Sequence, residues 1–146
     1  SQAIGIDSQF TQAYLNRGQS HMAIGSHRLA IEDFDSVIKI EPQSAMGYFN
    51  RGTSYANLIE YDEAIKNYNQ AISIEPQLAD AYIYKGVAYS NLAKYDEAIK
   101  NYSQAIRIEP QSADAYYLRG LLYLQVGKQI ESTQDFQRAK ELNYEN

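Results

Sequence analysis

The chain has 146 residues, 45% of them hydrophobic and 21% charged, with a formal net charge of -5. That acidic balance argues against nucleic acid or anionic lipid as the default partner, because phosphate binding relies on clustered lysine and arginine. Cysteine is absent, which excludes disulfides and thiolate chemistry, and no run approaches the roughly 18 apolar residues of a membrane span.

The first ten residues, SQAIGIDSQF, match the ends of two later segments, SQAIRIEPQS and NQAISIEPQL. This predicts that 1–10 is the tail of a preceding repeat, cut from a longer array. A targeting segment would then lie before residue 1, so the compartment stays open, with the cytoplasm as the default. Further on, the string EYDEAIKNYNQAISIEPQ starting at Glu60 returns as KYDEAIKNYSQAIRIEPQ starting at Lys94, 34 residues later. The period predicts repeats over 11–44, 45–78, 79–112 and 113–146. It aligns Tyr14, Tyr48, Tyr82 and Tyr116 in one column, Gly18, Gly52, Gly86 and Gly120 in another, and Pro42, Pro76 and Pro110 in a third. Self-similarity at this spacing marks a stacked array in which each unit is stable only against its neighbours.

Within 45–78, Tyr48, Gly52, Tyr55 and Leu58 recur at spacings of three and four, the stripe of a first helix. A second periodic run carries Tyr61, Ala64, Ile65, Tyr68, Ala71, Ile72 and Ile74 and stops at Pro76, where a missing amide proton ends the helix. The turn between the two helices holds Gly25 and Gly127 in the outer repeats but Ile59 and Ala93 in the inner ones, so only two turns carry the expected glycine. A glycine inside a helix costs about 1 kcal/mol against alanine. The column therefore predicts close packing on a second helix, with the small residues Ala30, Ala64, Ala98 and Ser132 at the crossing and the tyrosine column buried on either side.

These residues resemble the tetratricopeptide repeat family, whose 34-residue pattern is W-x2-L-G-x2-Y, A-x3-F and then P. Tyrosine replaces the tryptophan, Arg17, Arg51, Lys85 and Arg119 replace the leucine, and His21 stands where Tyr55, Tyr89 and Tyr123 keep the pattern. The A-x3-F element is Ala30 and Phe34, Ala64 and Tyr68, Ala98 and Tyr102, and Ser132 and Phe136. The resemblance implies an all-α fold, a right-handed superhelical solenoid of antiparallel helix pairs. It also implies a scaffold that holds a segment of a partner protein in a concave groove.

Ile31, Ile65 and Ile99, with Ile38, Ile72 and Ile106, form columns on the second helices placed to pack on the next unit. The last repeat has Thr133 and Lys140 there, and Tyr144 in the place of the proline, which predicts a polar terminal unit and an array ending near Asn146.

On the first helices, a face about 100 degrees from the glycine stripe is expected to line the groove. It carries Leu15, Phe49, Ile83 and Tyr117, then Gln19, Thr53, Val87 and Leu121, then Met22, Ala56, Ser90 and Leu124. Its polar members are Asn16, Asn50, Asn57, Asn91 and Gln125, with Asp80 and Asp114 towards the helix starts. The candidate peptide-binding residues are Asn16, Phe49, Asn50, Asn57, Ile83, Tyr84, Val87, Asn91 and Tyr117. Aromatic and aliphatic members would take a partner's apolar side chains, and amides would bond its backbone.

In related arrays, lysine and asparagine clamp the C-terminal carboxylate of chaperone tails. Here the lysine place holds Leu15, Phe49, Ile83 and Tyr117, so that clamp is missing. Asn16 and Asn50 resemble the asparagine ladder of sugar transferases, which breaks at Tyr84 and Leu118. The cation column of Arg17, Arg51, Lys85 and Arg119 lies opposite the groove face and is expected to pair with acids such as Glu41, Glu75 and Glu109. His21 and His27 lack surrounding ligands at metal spacing, and no catalytic signature or phosphate loop is recognisable. The chain therefore reads as non-enzymatic, without metal or cofactor, binding a protein or peptide partner rich in apolar side chains. The alternatives are a self-association or intramolecular docking module, for which Ile4 and Ile6 would supply an apolar end, and the substrate-recruiting part of a larger enzyme.

Overall fold

The computed structural model describes residues 2–144, with side chains described over 7–143. These residues form eight helices and no strand. They are α1 (Gln2–Ala23), α2 (His27–Ile40), α3 (Ala45–Asn57), α4 (Tyr61–Ile74), α5 (Ala79–Asn91), α6 (Tyr95–Ile108), α7 (Ala113–Gln125) and α8 (Gln129–Tyr144). Two compact units divide the chain, Ser1–Pro76 and Gln77–Asn146. In the first, α1 packs on α2 and α3 on α4, while α2 also packs on α3; in the second, α5 packs on α6, α7 on α8, and α6 on α7. Each unit is thus two helix hairpins stacked through the second helix of the earlier one, the all-α arrangement that the period predicts.

The stop signals act as the chemistry requires. Helices α2, α4 and α6 end at an isoleucine, and the next residue, Glu41, Glu75 or Glu109, caps the end by donating its backbone N–H to the carbonyl of Val37, Ala71 or Ala105. Proline follows and cannot extend the ladder. Ser44 and Ser112 then start α3 and α7, their hydroxyls accepting from the amides of Gly47 at 3.2 Å and Ala115 at 3.4 Å. At Ser8, where the later repeats have proline, nothing interrupts the ladder. Residues 2–10 therefore run straight into the first repeat as part of α1. Ile4, Ile6 and Tyr144 lie outside the residues whose side chains are described.

All four hairpin turns close in the left-handed region, whichever residue occupies them. Gly25 and Gly127 have φ of 77° and 81°, and Ile59 and Ala93 follow at 65° and 56°. The next amide in each case reaches back to the helix, Ser26 to His21 O, Glu60 to Tyr55 O, Lys94 to Tyr89 O and Lys128 to Tyr123 O, at 2.7 to 3.0 Å. Ile59 and Ala93 therefore keep the glycine geometry and carry its strain.

The glycine column does mark the closest approach of the helices. A Cβ on Gly18 would lie 2.6 Å from Cε1 of Phe34, and one on Gly86 would lie 2.6 Å from Cε1 of Tyr102. The corresponding distances are 3.0 Å from Gly52 to Tyr68 and 2.9 Å from Gly120 to Phe136. Ala30, Ala64, Ala98 and Ser132 are wholly buried at the same crossings. The gap above each glycine is filled by the aromatic ring of the second helix. This corrects the expectation for Tyr14, Tyr48, Tyr82 and Tyr116, which are only half-buried. They stand one turn before the crossing point. There Arg17, Arg51 and Arg119 cover the rings of Tyr14, Tyr48 and Tyr116 at 5.4 to 5.6 Å from the centroid. Between hairpins, Gly47 plays the same part: its Cβ would meet Val37 at 2.9 Å and Ile38 at 3.2 Å, so the Ile38 position does pack on the following helix.

Candidate binding face on the first helices

In the first unit the candidate residues lie on α1 and α3. Asn16 is exposed, and its Oδ1 accepts from Gln12 Nε2 at 2.8 Å. Phe49 is half-buried, its ring 5.9 Å from that of Tyr68. Asn57 is exposed and spends Nδ2 on the Thr53 carbonyl one turn back, at 2.9 Å. Asn50 differs from its neighbours: it is 5% exposed, and its Nδ2 is buried with no acceptor among the described residues. Asn16 and Asn50, one period apart, therefore have different surroundings, one in water and one in the interior.

In the second unit α5 presents Ile83, Tyr84, Val87 and Asn91, and α7 presents Tyr117. Ile83 is half-buried and packs, with Leu118 of α7, against the cluster of Ala98, Tyr102 and Leu122. Tyr84, Val87 and Tyr117 are 43%, 36% and 52% exposed. Tyr117 stands 5.6 Å from the ring of Phe136 and borders a cleft with Ala139, Lys140 and Asn143. Asn91, like Asn57, donates Nδ2 to its own helix, to Val87 O at 2.9 Å. Leu121 and Leu124 belong to the same columns but were not among the candidates, and they are as exposed as Tyr84. With Ser90 of α5, Tyr95 of α6, and Leu122 and Gln125 of α7 they line a cleft of about 460 Å³. Their signal in the sequence is plain: leucines on a face whose other half is aromatic.

The cation column lies on the hairpin interface and is bonded there. Arg17 grips Asp33 with two nitrogens, at 2.5 to 3.1 Å, and that hydrogen bonding holds its guanidinium above the ordinary value. Arg51 donates to Asn67 at 2.7 Å and pairs with Asp35 at 2.6 Å, so it ties α3 to both α4 and α2. Arg119 does likewise in the second unit, bidentate to Asp135 at 2.7 and 2.8 Å and donating to Ser103 at 3.0 Å, tying α7 to α8 and α6. Its hydrogen bond to the buried Asp135 again raises the pKa. These partners correct the expectation of Glu41, Glu75 and Glu109, which stand at the C-terminal caps of α2, α4 and α6. Lys85 is the exception, without an ion pair among the described residues and 5.9 Å above the ring of Tyr89 on its own helix. Burial pushes its pKa down.

Among the described residues no cluster of His, Cys, Asp and Glu could hold a metal ion, and no helix is long and apolar enough to cross a membrane. Stacked helix hairpins with a glycine at every crossing and an apolar face on the first helices define a helical repeat scaffold. The family model described as TPR repeat matches residues 60–92 and 94–127, and the one described as tetratricopeptide repeat matches 11–44 and 113–146. The chain belongs to the tetratricopeptide repeat family. Among solved structures, a crystal structure of MamA is similar at 28% identity and a TM-score of 0.88, over 99% of this chain and 84% of that one. Pseudomonas aeruginosa pilF is similar in fold at 20% identity and a TM-score of 0.86, over 96% and 64% of the two chains. The second TPR domain of human RPAP3, solved with the HSP70 peptide SGPTIEEVD, is similar in fold at 24% identity and a TM-score of 0.76, over 80% and 97%. No curated protein sequence matches the chain.

Proposed function

We propose that this chain is a non-catalytic scaffold that holds a segment of a partner protein against the exposed face of its first helices. Family membership supports the interaction scaffold, and the peptide held by the RPAP3 domain is an instance on the same fold. The observation that carries the reading is the row of large, partly exposed apolar side chains on α5 and α7. Tyr84, Val87, Tyr117, Leu121 and Leu124 are each 36% to 52% exposed while the residues beneath them are closely packed. Contiguous exposed apolar surface of this kind is characteristic of interaction sites. The amides supply the polar part of the reading. Asn57 and Asn91 have their Nδ2 engaged on their own helices, so the carbonyl oxygen is the end that accepts a backbone N–H from the partner. Phe49 and Ile83, half-buried, form the floor of the face in their respective units.

Peptides selected from a random displayed library on the full chain should lose binding to the triple variant Phe49→Glu, Tyr84→Glu, Tyr117→Glu. Its circular dichroism spectrum should stay helical. Selected peptides that bind the triple variant as well as the parent would refute this site.

A further inference from the structure

The stripes that α5 and α7 contribute to the face of the second unit carry charge of only one sense. Asp80 and Asp114 each stand in the first turn of their helix, α5 and α7 respectively, and both are exposed. They begin the stripes that continue as Ile83, Tyr84, Val87 and Asn91 on α5 and as Tyr117, Leu121, Leu124 and Gln125 on α7, at spacings that keep each stripe on one side of its helix. Neither stripe contains lysine or arginine. Neither aspartate enters an ion pair among the described residues. The cations of α5 and α7 are elsewhere, Arg119 bound to Asp135 and Lys85 over Tyr89. Lys140, on α8, lines a cleft with Tyr117, Phe136, Ala139 and Asn143.

We infer that the partner of this face is a cationic amphipathic segment, with apolar side chains seated among Tyr84, Val87, Tyr117, Leu121 and Leu124 and lysine or arginine meeting Asp80 and Asp114. The inference rests on the reading of the face as a binding surface. Its own ground is charge complementarity. An apolar strip with two carboxylates at one end and a chain of formal charge -5 attracts a basic segment and repels an acidic one, both on approach and at contact. An acidic tail such as the one seated on the RPAP3 domain would bring its carboxylates against Asp80 and Asp114, with Ile83 and Tyr117 where a clamp would need cations.

The test uses the full chain and three fluorescent synthetic peptides with one shared core of leucine, isoleucine and phenylalanine, flanked by lysines, by glutamates or by glutamines. Fluorescence anisotropy at low salt should rank lysine above glutamine above glutamate. Lysine should exceed glutamate by about tenfold, or about 1.4 kcal/mol, and the gap should narrow as salt is added. In the double variant Asp80→Asn, Asp114→Asn, the gap between the lysine and glutamate peptides should shrink to the salt-sensitive remainder set by the rest of the chain's charge, with the glutamine peptide bound as by the parent chain; an undiminished gap overturns the assignment to Asp80 and Asp114. Since the glutamine peptide reports on the apolar face alone, it separates loss of charge recognition from loss of fold. Equal binding of all three by the parent chain, or preference for glutamate, overturns the cationic partner and leaves the binding face standing. Failure of every peptide up to about 1 mM overturns both readings, and sedimentation as a dimer would then identify a second copy as the occupant.

Discussion

Replacing Gly86 with alanine sets two effects of known sign against each other. In an isolated helix the substitution stabilises by about 0.8 to 1.0 kcal/mol. In this fold the new methyl carbon would lie 2.6 Å from Cε1 and 2.9 Å from Cδ1 of Tyr102, about 1 Å inside ordinary carbon contact. The ring has nowhere to go: Tyr102 is 2% exposed, and Ala98 and Ala105 on the same helix are wholly buried. Overpacking of a fixed core costs about 1 to 3 kcal/mol, and a rigid ring held by small neighbours places this site in the upper part of that range. The net effect is a loss of about 1 to 2 kcal/mol, or a fall in Tm of about 2 to 8 °C for a chain of this size. Thermal unfolding followed by far-UV circular dichroism measures it. In a Tyr102→Leu background, which removes the offending ring atoms, the same substitution should cost less or turn favourable, and the double-mutant cycle should show coupling. A Gly86→Ala chain that melts above the parent would refute the account of the glycine column.

The strained turn gives a prediction of opposite sign. Ile59 holds φ at 65° with its side chain 74% exposed, so Ile59→Gly relieves about 1 to 2 kcal/mol of left-handed strain and loses about 0.5 to 1 in chain entropy. The expected rise is about 0.5 to 1 kcal/mol by urea unfolding, and an unchanged midpoint would show the turn to be unstrained. The cation column gives a paired test. Arg119→Met leaves Asp135, 8% exposed, without its bidentate partner and should cost about 2 kcal/mol, whereas Lys85→Met removes a half-buried charge that has no acid and should fall within about 0.5 kcal/mol of the parent or above it. Similar losses in the two variants would contradict the difference between them.

Much of this architecture is legible in the sequence because it is periodic. A glycine, a proline and a small residue recurring in fixed columns determine the hairpin crossing, the helix stop and the pairing, and α2, α4 and α6 end where the proline column requires. What escaped the sequence lies between helices. Spacing along one helix gives a side chain's direction but not what meets it. Arg17, Arg51 and Arg119 therefore met Asp33, Asn67 and Asp135, 16 residues on and on a different helix, in place of the glutamates closer to the repeat boundary. The tyrosine column and the second-helix aromatics are equally apolar on paper, and only the position of the crossing decides that Tyr68 and Tyr102 are enclosed while Tyr48 and Tyr82 stay at the rim. Among the face residues, the exposed row on α5 and α7 was legible as a helical stripe. The burial of Asn50 was not, since Asn16, one period earlier, is identical in local pattern and differs only in what packs around it.

The two double-handed arginines also bear on how the array comes apart. Arg51 holds Asp35 of the preceding hairpin as well as Asn67 of its own, and Arg119 holds Ser103 and Asp135 in the same manner. Peeling away the preceding hairpin therefore strips Arg51 of one of its two bonds and Arg119 of one of its three. Melting of one hairpin thus weakens the other hairpin of the same unit, and favours their unravelling together.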